Sequence, residues 1–280
     1  MKEPFNDELY KAIASMSPDE CEDMLKFVQM FMAKGNAGKG QGPKATKKKT
    51  SGHYTETDYP HFRKDEPARK YTLRVTLKHI TPAIYRKFEV PSNITLRHLA
   101  DLILELMGWI GGHLNAFHIA GSDYSPAYQR DGEDNFFLPF DEDRNHNQED
   151  FTLAEVLSTK GKSIELEYDF GDGWLHDVKL SSIADYKEGE PQIVRFIKGE
   201  RACPLEDIGG PWGYQDLLAI IEKKRARKRL NAEEKERLEW IGIDPQYIDP
   251  EEFDGEEAEG ICYSFTDYPE DDYGVKITKI

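Results

Sequence analysis

The sequence predicts an α+β fold, a mixed sheet with helices packed on it. Two stretches of apolar and polar alternation carry that expectation, Tyr71 to Val90 and Ile164 to Leu180, each interrupted by a turn. Between them Leu96, Leu99, Leu102, Ile103 and Leu106 recur at helical spacing. The chain can fill a core, because 38% of its 280 residues are apolar and it holds 14 Phe, 14 Tyr and 4 Trp.

In chain order, Asn6 to Lys34 reads as a helical pair, the second helix opening at Ser17-Pro18-Asp19-Glu20 with a capping serine and a first-turn proline. Gly35 to Thr50 holds five lysines and no acid, focused on Lys47, Lys48 and Lys49, and reads as a basic flexible linker able to make weak phosphate contacts. From Tyr71, Leu73, Val75 and Leu77 alternate with Arg74, Thr76 and Lys78, and Thr81-Pro82 turns the chain into Ile84 to Val90, a hairpin. Thr95 is placed to cap the helix that follows and Gly108 to end it, with His113 to Ile119 as the next strand. This hairpin-helix-strand order is β-grasp-like. Asn135 to Asp150 is acidic and irregular, and Thr152-Leu153-Ala154-Glu155 is a capping box for a short helix. Ile164, Leu166, Tyr168 and Phe170 alternate with acids, and after Gly171-Asp172-Gly173 the apolar face resumes at Trp174, His176, Val178 and Leu180. Helices are expected from Tyr214 to about Lys228 and from Ala232 to Trp240. From Ile241 to Val275 there are twelve acids and no lysine or arginine, which suits a disordered or loosely draped tail. The expected organisation is a helical pair (1–34), a linker (35–67), an α+β domain (68–255) and an acidic tail (256–280).

Charge and motifs narrow the function classes. A net charge of −16 and a pI near 5.0 oppose whole-surface binding to nucleic acid or anionic lipid. No apolar run approaches the ~18 residues of a membrane span, so a cytoplasmic location is expected. Cys21, Cys203 and Cys262 are widely spaced and odd in number, and read as free thiols. Asp169-Phe170-Gly171 resembles a kinase signature, but the glycine loop, strand lysine and catalytic loop that phosphoryl transfer needs do not accompany it.

The densest chemistry lies in Tyr168-Asp169-Phe170-Gly171-Asp172-Gly173-Trp174-Leu175-His176-Asp177, a hairpin tip where polar groups gather beside an aromatic wall. Five positions separate His113 from His118, so on one strand they face opposite sides. His176 shares its face with Trp174 and Val178, which suits either a core histidine or a pocket in which His113, Asp172 and His176 converge on a divalent ion. Glu206 and Asp207 precede Gly209-Gly210, where they are placed to accept backbone amides of that turn or to serve a ligand.

Several segments together resemble the plasmid pRiA4b ORF-3-like family: Ile80 to Arg86, Met107-Gly108-Trp109 with His113 to Phe117, the hairpin tip, Cys203 to Gly210 with Gly213-Tyr214, and Ile243-Asp244-Pro245 near Phe253-Asp254. The resemblance spans about 68 to 255 and implies an α+β domain associated with mobile DNA, as a passenger of insertion elements with resolvase-labelled relatives. It implies no defined activity. Asn115 stands where the family's HLHxF has its second histidine, Phe196 stands where it has a cysteine, and Tyr85 replaces the tryptophan of its IWR.

The expected function is a non-catalytic recognition domain with a polar-aromatic groove lined by Arg86, Trp109, His113, Asp169, Asp172, Trp174, His176, Glu206 and Tyr214, open to a protein, peptide or nucleic-acid partner. The alternative is a metal-dependent hydrolase or nuclease-like enzyme with Asp172, His176 and Glu206 as ligands or base and His113 as acid. No cofactor is expected for the first reading, and a divalent metal for the second.

Overall fold

Residues 62–63, 67–126, 144–242, 244 and 248–266 are described in the computed structural model. The expected helical pair, Lys47, Lys48 and Lys49, and the tail beyond 266 lie outside them. The first hairpin follows its alternation: β1 (Arg69–Leu77) pairs antiparallel with β2 (Tyr85–Pro91) across a cis Thr81-Pro82 turn. Leu73, Val75, Leu77, Phe88 and Val90 are buried on one face, and Arg74, Thr76 and Lys87 stand on the other. Thr95 caps α1 (Leu96–Met107) by accepting the His98 amide at 3.3 Å, and Gly108 ends it at φ 87°. Leu99, Leu102 and Ile103 on α1 are at most 1% exposed, and burial of each contributes about 2 kcal/mol.

The other strands are β3 (Asn115–Ile119), β4 (Ser122–Ser125), β5 (Asn145–Asn147), β6 (Ser163–Tyr168), β7 (Trp174–Asp185) and β8 (Arg195–Glu200). They form one eight-stranded sheet in the order β5-β4-β3-β6-β7-β1-β2-β8, antiparallel except for the parallel β4 and β5. The sheet does not support the β-grasp expectation. β3, the strand after the helix, joins β6 and is separated from the first hairpin by β6 and β7, and β1 meets β7 antiparallel. Strand order is a non-local choice that hairpin-helix-strand succession leaves open.

The helices after α1 are α2 (Leu153–Val156), α3 (Gly210–Arg225), α4 (Ala232–Ile241) and α5 (Gly255–Ser264). The Thr152–Glu155 capping box forms at α2. α3 begins at Gly210 rather than Tyr214, so the glycine turn itself becomes the helix start. The acidic segment differs from a draped tail, since α5 lies against β8 and α1. Asp254 caps α5, Ala258 and Cys262 point inward, and the acids remain at the surface. Ala258 and Cys262, four apart on one face, seat the helix together with Ile261 and Phe265, which pack against the core. The linker expected to run to residue 67 contains Phe62, which is 6% exposed and stands edge-on to the His98 ring at 5.5 Å. Among the described residues, no helix is long and apolar enough to cross a membrane.

Candidate functional site

At one end of the sheet three segments meet: the 108–114 loop, the 169–173 hairpin tip, and the 203–210 segment that leads into α3. Asp169 joins the first two, its amide donating to Leu114 O at 2.8 Å. Its backbone takes the left-handed conformation at φ 55°, and its Oδ1 accepts the Gly171 and Asp172 amides at 3.0 and 3.3 Å. That leaves Oδ2 facing His113 Nδ1 at 3.6 Å, while His113 Nε2 lies 3.3 Å from Asp207 Oδ1. Asp172 reaches the third segment, where its Oδ2 accepts the Gly209 amide at 3.1 Å. Gly210 follows so closely that a Cβ there would stand 2.1 Å from Asp172 O. Glu206 takes the Tyr168 hydroxyl, and burial, then this carboxylate, push that hydroxyl's pKa up.

Behind these polar groups lies an aromatic wall. Trp109 stacks on Tyr168 at 5.2 Å, leans on Trp174 at 5.5 Å, meets His176 edge-on at 5.3 Å, and donates its Nε1–H to Pro204 O at 2.9 Å. His113 also meets the Tyr168 ring edge-on, at 5.7 Å. The wall is closed rather than open. Trp109, Trp174, His176 and Tyr214 are at most 4% exposed, so these residues back the site instead of lining a groove. The physical reason is that the Trp109 ring packs against those of Tyr168, Trp174 and His176 and closes the wall.

Of the two places its strand parity suits, core or pocket, His176 occupies the core. Its Nδ1–H donates to Leu166 O at 3.1 Å, and burial lowers its pKa to about 4, which keeps the ring neutral. The alternative, a pocket in which His113, Asp172 and His176 converge, is not the arrangement found among the described residues. Among the described residues the one group able to offer a cation three ligands is His113, Asp169 and Asp207, with one ligand atom from each within 4.8 Å of the others. The two carboxylates face different ring nitrogens of His113, so an ion held through one nitrogen would displace one acid from its present position.

Arg86 also differs from the groove reading. It is 3% exposed, its Nε donates to Leu106 O at 2.8 Å, and its Nη1 donates to Tyr85 O at 2.9 Å and Glu200 O at 3.1 Å. The Phe253 ring lies 4.3 Å from its guanidinium carbon and covers β8 so closely that a Cβ at Gly199 would stand 2.5 Å from that ring. Arg86 ties the end of α1 to β8, and is not presented to an anionic partner. Arg86→Met is expected to cost about 3 kcal/mol in urea unfolding, because it leaves buried carbonyls without donors. A loss below about 1 kcal/mol would show that those carbonyls find other donors.

His118 lies on the opposite face of β3 from Phe117, held between Asp123 and Glu167 at 2.7 Å each. Its bonds to Asp123, then Glu167, raise its pKa to about 10, so it is an imidazolium in a surface ion triad.

What sequence reasoning missed is the rim. Ile110 is 89% exposed, Trp212 75%, Leu114 48% and Phe170 38%. These are four of the seven large apolar side chains exposed among the described residues, and all belong to the three meeting segments or the first turn of α3. Asp207 is absent from the expected groove, yet it faces His113, and Asp172 satisfies the turn amide instead. The available signal was an apolar residue beside glycines, as in Gly210-Pro211-Trp212-Gly213 and Trp109-Ile110-Gly111-Gly112.

The family model described as plasmid pRiA4b ORF-3-like protein matches residues 69–257, from the first residue of β1 into α5. The chain belongs to the plasmid pRiA4b ORF-3-like family. The tip, the Cys203 to Tyr214 segment and the buried Arg86 all fall within the matched residues. A relative from Sinorhizobium fredii (strain NBRC 101917 / NGR234), "Uncharacterized protein y4hQ", is 32% identical over 170 residues, covering 61% of this chain and 79% of the relative. A crystal structure of "Protein of Unknown Function MM3350" from Methanosarcina mazei Go1 is similar with a TM-score of 0.53 and 28% identity, covering 69% of this chain and 98% of that one. Neither name specifies an activity.

Proposed function

We propose that this pRiA4b ORF-3-like domain is a recognition module, and that its partner docks on the loop end of the sheet. The observation that supports it is the exposed rim of Ile110, Leu114, Phe170 and Trp212 around His113 and its carboxylates. Exposed large apolar side chains gathered at one end of a sheet cost solubility unless a partner covers them. The aromatic wall behind them and the ties from Asp172 to Gly209 and from Trp109 to Pro204 keep the three segments in fixed relation, so little ordering entropy is lost on binding. An association with mobile DNA rests on the family resemblance alone.

A random dodecapeptide phage library panned on the full chain tests the reading. Peptides are expected to bind wild type and Ile197→Ser equally, since Ile197 is an exposed apolar side chain on β8 outside the three segments, and to lose at least about tenfold in affinity against Phe170→Ser with Trp212→Ser. Enrichment of nothing but peptides indifferent to that double change would sink it.

The second reading, a metal-dependent hydrolase, is favoured by the His113, Asp169 and Asp207 group. It predicts close to one equivalent of divalent metal in the folded protein, lost in His113→Ala.

A further inference from the structure

The recognition surface has a charge sign as well as an apolar rim. Asp169, Asp172, Glu206 and Asp207 all stand at the meeting of the three segments. Among the described residues their polar partners are His113, the Tyr168 hydroxyl and backbone amides, and no lysine or arginine pairs with any of them. The nearby guanidinium of Arg237 is spent elsewhere: it donates to Ile208 O and lies over the Trp240 ring at 4.5 Å. Asp169 is the most constrained of the four, its side chain only 12% exposed, with one oxygen held by two amides and the other turned toward His113. Asp207, at 72% exposed, stands at the open side of the same histidine.

An arriving cation therefore finds carboxylates already oriented and partly desolvated, with no resident lysine or arginine to displace. Phe170 follows Asp169 directly, and Trp212 lies in the first turn of α3, so aromatic faces suited to a cation stand beside the acids. An anionic segment such as a nucleic-acid backbone would meet like charge here, in a chain whose net charge is −16. We propose that the occupant is a peptide segment that presents a lysine or arginine to Asp169 and Asp207 and lays flanking apolar side chains on Ile110, Leu114, Phe170 and Trp212. This rests on the recognition reading above and specifies its partner.

The test uses the peptides enriched on the full chain, synthesised with a fluorophore and titrated by anisotropy. Asp169→Asn and Asp207→Asn suit it, because both positions have positive φ, 55° and 57°, which asparagine adopts readily. In Asp169→Asn the side-chain amide oxygen can still accept the Gly171 and Asp172 amides. The enriched peptides are expected to carry a basic residue. Kd should rise at least about tenfold in the double variant, or when that residue is replaced by glutamine, and about fivefold from roughly 50 to 500 mM salt. Binding should persist in EDTA. Peptides that need Phe170 and Trp212 but are indifferent to Asp169→Asn, Asp207→Asn and salt would overturn the cation while leaving the recognition reading in place. Binding abolished by EDTA and restored by added Mn²⁺ or Zn²⁺ would overturn it in favour of a metal at the same carboxylates. Absence of any peptide dependent on Phe170 and Trp212 would remove the recognition reading itself.

Discussion

Gly210→Ala is expected to destabilise the domain by about 3 kcal/mol, lowering Tm by roughly 6–12 °C. The added Cβ would stand 2.1 Å from the carbonyl oxygen of Asp172, and the residue sits at φ 67°, where a side chain adds strain of its own. Both colliding groups are tied to main chain, so no rotamer change relieves the clash. The hairpin tip and the start of α3 must separate, which breaks the Asp172 bond to Gly209 and spreads Asp169 from Asp207. Gly111→Ala is the matched control, with a similar φ of 74° and nothing within 4 Å of its Cβ, and only about 1 kcal/mol is expected there. Denaturant unfolding of the two variants beside wild type decides it. Equal losses would mean that the tip and the turn are not packed as described. The same experiment reaches function, since peptide binding should fail in folded Gly210→Ala.

Acidification from pH 7 to pH 4.5 is expected to remove about 2–3 kcal/mol of stability through His176 alone. Its folded pKa is lowered to about 4 by burial, whereas the unfolded chain takes up the proton near 6.5. Between those values the unfolded state binds a proton that the folded state refuses, so stability present above pH 6.5 is lost as pH falls toward about 4. The lowered carboxylates of Glu200 and Glu234 start from 4.5, so their losses fall below this window. His118 has the opposite sign. Its pKa is raised to about 10, so its contribution is complete below 6.5 and disappears as pH rises through 10. Urea unfolding of wild type and His176→Leu at both pH values isolates the effect: the variant starts weaker at pH 7, having lost the bond to Leu166 O, and changes little on acidification. An equal acid loss in both proteins would show that His176 is protonated, or reached by water, in the folded state.

The sequence by itself determined the local structure. Thr95 and Gly108 bound α1, the Thr152–Glu155 box opens α2, and alternation sets both hairpins, because caps and strand parity depend on residues a few positions apart. It also singled out the Tyr168–Asp177 tip, and His113, Asp169, Asp172 and Glu206 do gather near it. Tertiary structure alone decided which polar groups face one another and which aromatics remain visible. Periodicity marks Trp174 and His176 as sharing a face, but that face closes when Trp109 from a different segment packs over both rings. Arg86 reads as a groove-lining residue until the end of α1 and β8 offer it carbonyl oxygens. Asp207 reads as a turn acceptor until His113 arrives beside it, and α5 reads as a tail until Ala258 and Cys262 find α1 and β8. In each case the deciding partner lies far away in sequence, and the free energy that selects it, from burial and hydrogen bonding, exists only once the sheet has brought the two segments together.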